Sequence, residues 1–379
     1  MESSGSRQSD IAKNTNPRSR HGGAKGEFGV QHTTLEISEF KALVGKAVPQ
    51  PEQFNYGVTR DTIRHFAYAV PDINARYLDE EYAATTRWRG IIAPPGYLYA
   101  HGSPAWLGSL PGIKDADGNE LRNADNATEE WEFHKPVRPG DTIFSQGMLE
   151  DATIKRSRKL GECVLVKEGM RFTNQRGETV ARLASYSFRF NGSAVQASGG
   201  VGQAYPPIED GQFTRNVATP PLLPGTKPTP VRRYDEPRFF EDVGVGDEVP
   251  AWELGPIMAF DIGRFNAVTI GTGYDRIGRT GHVPDGFAPG VLRIQWFGAM
   301  LSKWGGPNSW VTRISQRNVD WVLIGYKVIC SGRVTRKKVE EGRCLVELDI
   351  WCDSELGFRT NSGTAEIEFE SREHPTRSR

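Results

Sequence analysis

Apolar and polar residues alternate with two different periods along this chain, and the change of period divides it. From Thr59 to Val70 the apolar residues Ile63, Phe66, Ala67 and Val70 fall at helical spacing, and Thr59 stands where an N-cap belongs. A polar loop with Asp72, Asn74 and Tyr77 follows, and the acidic turn Asp79-Glu80-Glu81 opens another helical stretch. Ala93-Pro94-Pro95-Gly96 then starts an apolar helix predicted from about Pro95 to Leu107. Residues 111–126 read as an exposed loop. From Thr128 the period becomes two. W-E-F-H-K-P-V-R-P-G-D, T-I-F-S-Q-G-M-L and the runs 161–172 and 178–190 read as antiparallel strands, with Gly169 as a bulge and N-Q-R-G as a hairpin turn. Helical segments followed by a run of strands indicate an α+β domain with a helix packed on a sheet.

The order then repeats. After a stretch rich in Gly, Pro, Ser and Thr, residues 258–270 form a helical candidate, and A-P-G-V-L-R-I-Q-W-F-G-A-M-L starts a second apolar helix. Gly140 and Gly147 match Gly325 and Gly332 at equal spacing, and G-E-C at 161–163 parallels G-R-C at 342–344. One duplicated domain accounts for this. The expected organisation is a disordered tail at 1–31, a first domain at 32–192, a linker at 193–233 and a second domain at 234–372.

Composition narrows the partners. The formal net charge is zero, which removes any bulk electrostatic argument for nucleic acid or an anionic membrane. No apolar run approaches the roughly 20 residues of a membrane helix, and the N-terminus lacks the apolar core of a signal peptide, so a cytoplasmic location is expected. Cys163, Cys330, Cys344 and Cys352 show no C-x-x-C spacing and read as buried thiols. D-A-D-G-N-E lacks the full ligand series of a calcium loop, and no metal triad, phosphate loop or G-x-S-x-G elbow is present.

The candidate chemistry lies between Asp72 and Gly96. Two polar groups at i and i+2 precede a helix start that carries Gly, an arrangement that suits a carbonyl compound. The side chains handle protons or water, and N–H groups at the helix start face the carbonyl oxygen. This stretch resembles the loop of MaoC-like (R)-specific enoyl-CoA hydratases and dehydratases, roughly D-x-N-P-x-H-x-D, then Ala, then a Gly-bearing helix start. Asp72, Asn74, Asp79, Ala83 and A-P-P-G match; Ala75 replaces the Pro, and Tyr77 stands at the catalytic His.

The resemblance implies a double hot-dog fold, with two long central helices each wrapped by an antiparallel sheet and the sheets joined edge to edge. It implies hydration or dehydration of an acyl-CoA or acyl-carrier-protein thioester without a redox cofactor. Asp72 would be the base, Asn74 and Tyr77 would orient, and Gly96 N–H would polarise the thioester carbonyl. In the second half Gly278 stands where the family His is expected, leaving Asp275 and His282 as an alternative pair. His134 is a further substitute imidazole, and His65 reads as a surface or packed residue. Arg87 and Arg89, and the basic hairpins 154–159 and 335–338, are candidates for the carrier phosphates. Two other functions stay open: a catalytically silent acyl-binding subunit of a hydratase complex, and a hot-dog thioesterase. A homodimer and a heteromeric hydratase partner are both compatible with the chain.

Overall fold

The computed structural model describes residues 35–47, 53–103, 112–115, 118, 121, 123–157, 160–191, 237–269 and 286–374. The expected tail at 1–31 and linker at 193–233 lie outside the described residues. Short helices open the first half. After α1 (Ser38–Lys41), α2 (Arg60–Ala69) begins in a capping box: Thr62 N donates to Thr59 Oγ1 at 3.1 Å, and Thr59 N to Thr62 Oγ1 at 3.0 Å. It buries Ile63, Phe66 and Ala67 and ends at Val70. The turns α3 (Ala75–Leu78) and α4 (Glu80–Thr85) are capped by Asn74 and Asp79, whose side chains accept from Arg76 N at 3.1 Å and Tyr82 N at 3.0 Å.

The helix expected from Pro95 differs. Tyr97–Ala100 is one 3-10 turn, with Tyr97 N, Tyr99 N and His101 N donating to carbonyls three residues back at 3.1, 3.0 and 2.9 Å. The tighter winding sets Tyr97 against Phe66 and Tyr99 against Trp131, with ring centroids 5.6 and 5.1 Å apart. Residues 104–110 lie outside the described residues.

The strands are β1 (Asn123–Phe133), β2 (Ile143–Ser157), β3 (Gly161–Asn174) and β4 (Thr179–Phe190), then β5 (Glu248–Leu254), β6 (Trp310–Asn318), β7 (Val328–Glu340), β8 (Arg343–Ser354) and β9 (Arg359–Phe369). The loop expected to Asn126 ends sooner, because β1 already pairs with β4 from Asn123. The bulge expected at Gly169 lies on the facing strand: the β2–β3 register shifts between Leu149 and Asp151, so Glu150 is the extra residue. Gly169 makes room for it, since a Cβ there would lie 2.1 Å from Glu150 Oε1.

All nine strands form one antiparallel sheet, ordered β2-β3-β4-β1-β6-β9-β8-β7-β5. The two halves meet at β1 and β6, where each covers an edge that the other would leave open. The repeat is visible in the backbone. Gly140 and Gly325 both turn the chain in the left-handed region, with φ of 93° and 92°. Glu130 and Ser315 lie equally far before these glycines, and they pair directly across the β1–β6 seam. An approximate two-fold relation between the halves therefore passes through this pair.

The second half carries α5 (Ala259–Thr269) and the long α6 (Gly290–Gly305). Of the sixteen residues of α6 only Lys303 escapes burial, as an apolar helix enclosed by a sheet requires. Among the described residues α6 is the one long central helix, not one of two. It packs on β1, β5, β6, β7 and β9 and so serves both halves. The first half leans on it directly: a Cβ on Gly298 would meet Pro95 Cβ at 3.3 Å. One apolar core runs through both halves, including Phe66, Tyr97, Trp131, Phe265, Phe297 and Phe369. No helix among the described residues is long and apolar enough to cross a membrane.

Two glycines test this packing in opposite directions. A Cβ on Gly363 of β9 would lie 1.9 Å from Ser315 O on β6, so Gly363→Ala should destabilise the fold by about 1–3 kcal/mol. Gly263 sits exposed inside α5 with open space around it, and Gly263→Ala should stabilise by about 0.5–1 kcal/mol. Chemical denaturation midpoints of the two variants check both signs.

Candidate active site

Asp72 follows α2 directly, its N–H donating to Ala67 O at 2.8 Å. Its side chain is 1% exposed, and neither carboxylate oxygen has a hydrogen-bond partner. Burial pushes its pKa up to about 6, against the pull of the Lys303 and Arg76 charges. Asn74 divides its roles: Oδ1 caps α3, whereas Nδ2 is buried without a partner. This loop thus keeps a carboxyl and an amide donor unengaged in a dry environment.

Tyr77, at the position where the resemblance expects an imidazole, is tied to α6. Its hydroxyl donates to Ser302 Oγ at 3.0 Å and accepts from Arg76 Nη2 at 2.5 Å. Burial pushes its pKa up to about 12, partly offset by the Arg76 charge, so it remains a donor and takes no proton near neutrality. Arg76 in turn caps the C-terminal end of α6, with Nη1 3.0 Å from Ser309 O and 3.3 Å from Gly306 O.

Gly96 has φ of 80°, and its N–H precedes the first turn of the 3-10 helix, so the helix supplies it no acceptor. A Cβ there would lie 1.8 Å from Gln295 Oε1. A cleft of about 540 Å³ lined by Thr59, Arg60, Asp61, Arg64, Leu78 and Ile91 reaches Tyr77.

The other expected residues fall elsewhere. His134 is not a buried imidazole. Strand alternation turns Glu129, Trp131 and Phe133 inward and leaves His134 facing out, 41% exposed, with Nε2 3.9 Å from Glu132 Oε2. Arg87 is not at a mouth: it stacks over Trp88, 4.3 Å from the ring centroid, and Nη1 lies 3.4 Å from Oε1 of buried Glu368. Trp88 draws it inward by donating Nε1–H to Pro307 O at 3.0 Å. Arg89 is exposed, as is His65 on α2. In the hairpin 335–338, Lys338 pairs with Glu347, Glu366 and Glu340 at 2.9, 3.1 and 3.2 Å. Lys337 donates to Phe240 O at 2.7 Å, so both lysines of this hairpin are engaged locally, while Arg336 is exposed. A groove of about 760 Å³ crosses the outward face of the sheet, away from Asp72, and its walls are ion-paired, as in Lys167–Glu150 at 2.8 Å. Asp275 and His282 lie outside the described residues.

Sequence reading missed two buried titratable groups. His101 closes the Tyr97–Ala100 turn. Its Nδ1 donates to Asn55 O at 2.8 Å, its Nε2 has no partner, and burial pulls its pKa down to about 4. Glu129 is fully buried on β1, its pKa pushed up to about 7 by burial. Its period-two alignment with Trp131 and Phe133 was the available signal.

A nine-stranded antiparallel sheet around a buried helix, with an unpaired carboxyl ahead of a Gly-bearing turn, defines the hot-dog class with MaoC-like features. Comparison with known proteins agrees. Residues 42–183 match the family described as FAS1-like, dehydratase domain region. A probable enoyl-CoA hydratase alpha subunit from Thermomonospora curvata is 30% identical over 151 residues, 37% of this chain and 47% of the relative. The chain thus spans about half the length of that relative. A UPF0336 protein of Streptomyces coelicolor is 29% identical over 111 residues, 29% of this chain and 71% of the relative. Among solved structures, a MaoC-like dehydratase superposes with a TM-score of 0.63 at 19% identity, over 87% of this chain and 99% of that one. A conserved hypothetical protein of Mycobacterium tuberculosis with a double hotdog fold gives 0.53 at 13% identity, over 85% and 96%. The resemblance to MaoC-like hydratases and dehydratases therefore holds for fold and for the first half's sequence.

The raised pKa of Asp72 has a stability consequence with a definite sign. The native state keeps this proton to about pH 6, whereas the unfolded chain releases it near 3.8. Native stability therefore falls as pH rises through that window. Asp72→Asn should stabilise the protein by about 3 kcal/mol at pH 8, and the gain should vanish below about pH 4. Urea unfolding of both proteins across pH 4–8 measures it.

Proposed function

We propose that this protein is a hydro-lyase acting on acyl thioesters, adding water to an enoyl thioester or removing it from a 3-hydroxyacyl thioester. The observation that carries this reading is the Asp72 carboxyl, buried and unpartnered with its pKa raised to about 6. Such a group exchanges a proton near neutrality, as a general acid–base catalyst must. In the hydration direction Asp72 takes a proton from water as the water oxygen bonds to C3. The C2=C3 electron pair moves to C2, the carboxyl returns a proton there, and the enzyme is restored. Asn74 Nδ2 orients the water, and Gly96 N–H polarises the thioester carbonyl. Tyr77, held protonated, donates to Ser302 Oγ and accepts from Arg76, which fixes the loop on α6. The cleft beside Tyr77 is the approach for the thioester, carried by CoA or an acyl carrier protein.

A second reading has its own support. The Thermomonospora relative is described as an alpha subunit, and the phenol of Tyr77 stands in place of an imidazole. On that reading the chain lends an acyl site to a catalytic partner.

Purified protein incubated with trans-2-enoyl-CoA thioesters of several lengths separates the readings. Hydration without thiol release is expected, and thiol release would instead indicate a thioesterase. Turnover that appears only after a partner is added would favour the subunit reading. Asp72→Asn should lower kcat by at least about 100-fold. Tyr77→Phe should cost less, about 1–3 kcal/mol of barrier, because the two hydrogen bonds it removes, to Ser302 and from Arg76, hold the loop rather than the reacting atoms. An Asp72→Asn protein with unchanged kcat would end this assignment.

A further inference from the structure

The groove of about 760 Å³ on the outward face of the sheet holds two cations that stand outside its ion pairing. Arg171 on β3 and Arg182 on β4 are directly opposite in the strand register, and both are exposed. They alternate with Met170, Phe172, Ala181 and Leu183, which are buried on the α6 side, so both arginines point away from the core. Directly opposed residues have Cβ atoms about 4.5–5.5 Å apart, and like charges at that spacing are destabilising. Among the described residues neither guanidinium has an ion-pair or hydrogen-bond partner.

The carboxylates of the groove are turned to other groups. Glu132 is the register partner of Arg182, yet its Oε1 lies 3.3 Å from Arg313 Nη2 and its Oε2 lies 3.9 Å from His134 Nε2. Glu150, the bulged residue, folds over Gly169 and pairs with Lys167 at 2.8 Å. Glu130 Oε2 accepts from the Tyr186 hydroxyl at 3.4 Å. Glu347 and Glu366 pair with Lys338 at 2.9 and 3.1 Å. On the other side of Arg171 the register partner is Gln146, an uncharged amide whose Nε2 donates to Gly147 O at 3.0 Å. The lining cations Lys167, Arg313 and Lys338 are thus each balanced, and the two that are not stand side by side.

A juxtaposed pair of this kind is relieved by an anion of matching charge. One carboxylate brings one charge and matches one guanidinium. A phosphoryl group is a dianion above its second pKa of about 6, and its three free oxygens can be shared between two planar forks. The groove volume lies within the range of about 300–1,000 Å³ found for small-molecule sites. Ser315 and Thr364, opposed across β6 and β9 in the same groove, offer hydroxyls to the remainder of a ligand. We propose that Arg171 and Arg182 form an anion site that takes a phosphoryl dianion, as free phosphate or as the monoester end of a small hydroxylated molecule. The site lies on the opposite face of the sheet from α6 and does not depend on the hydro-lyase reading.

Calorimetric titration of the full-length protein at pH 8 and low salt reads the site, with ribose 5-phosphate, ribose, inorganic phosphate and a hexaglutamate peptide as probes. Ribose 5-phosphate should bind at least about 10-fold more tightly than ribose. Arg171→Gln and Arg182→Gln should each lower its affinity about three- to tenfold. Arg317→Gln, on the outward face beyond this groove, should leave it unchanged. In phosphate-free buffer either groove variant should hold or raise the thermal midpoint, because like-charge repulsion is relieved, and added phosphate should raise the parent's midpoint more than the variant's. Inorganic phosphate binding as tightly as the ester assigns the site to free phosphate, and tighter binding of the ester assigns it to an organic monoester; both support the proposal. No binding of either phosphate-bearing probe, or an equal loss with Arg317→Gln, would overturn it and leave the two arginines as solvated surface charges. Tightest binding by the peptide would overturn it in favour of a protein-docking face.

Discussion

Everything in this structure is arranged around the burial of one helix. α6, about 24 Å long, is enclosed on all sides by the sheet and by the loops of the first half. Each large apolar side chain it buries contributes about 1.5–3 kcal/mol, so the helix holds both halves in one core. Its few polar side chains mark where the first half attaches or where strands must close around its start. Ser302 receives the Tyr77 hydroxyl, Gln295 lies against Gly96, and Arg293 reaches Asp320 and Asn361. The C-terminal carbonyls take Arg76. A loop of the first half is therefore fixed by a helix of the second, and the halves have little freedom to fold apart.

The same enclosure sets the electrostatics. A carboxylate in a dry core is destabilised, and Asp72 and Glu129 shift toward the neutral acid for that reason. They sit toward opposite ends of α6. Asp72 lies with Arg76 and Lys303 near its C-terminal end, and Glu129 lies near its first turn with Arg293 one turn on. His101 shifts the other way by the same cause, since burial penalises the charged imidazole. The core thus holds several groups of altered proton affinity. These altered proton affinities are products of burial rather than of any surface charge pattern.

Much of the fold was legible in the sequence because it depends on local rules. The Thr59 cap, the helix to Val70, the Asn174–Gly177 hairpin and the apolar run from Ala288 all follow from spacing and turn chemistry. The tandem repeat was legible because equivalent turns need the same backbone, and Gly140 and Gly325 share one φ value to within a degree. The Asp72 loop could be found by its residue types and by its distance from Gly96. The bulge could not, because the residue that must yield is decided by the facing strand, and Glu150 yields where Gly169 has no side chain.

The sequence alone therefore determined the elements, the duplication and the stretch where carbonyl chemistry is plausible. Tertiary structure decided which polar groups are left dry and unpaired, because burial belongs to the assembled core and not to any segment. It turned Arg87 onto Glu368, faced His134 outward, and gave Tyr77 to Ser302. It shortened the Tyr97–Ala100 segment to a single turn so that two tyrosines reach different neighbours. It also placed Glu129, one glutamate among several on its strand, beside Tyr99, Trp131 and Gln316 at the start of α6. Sheet register across the β1–β6 seam brings those residues together, and no local pattern encodes which strand of the other half a residue will face.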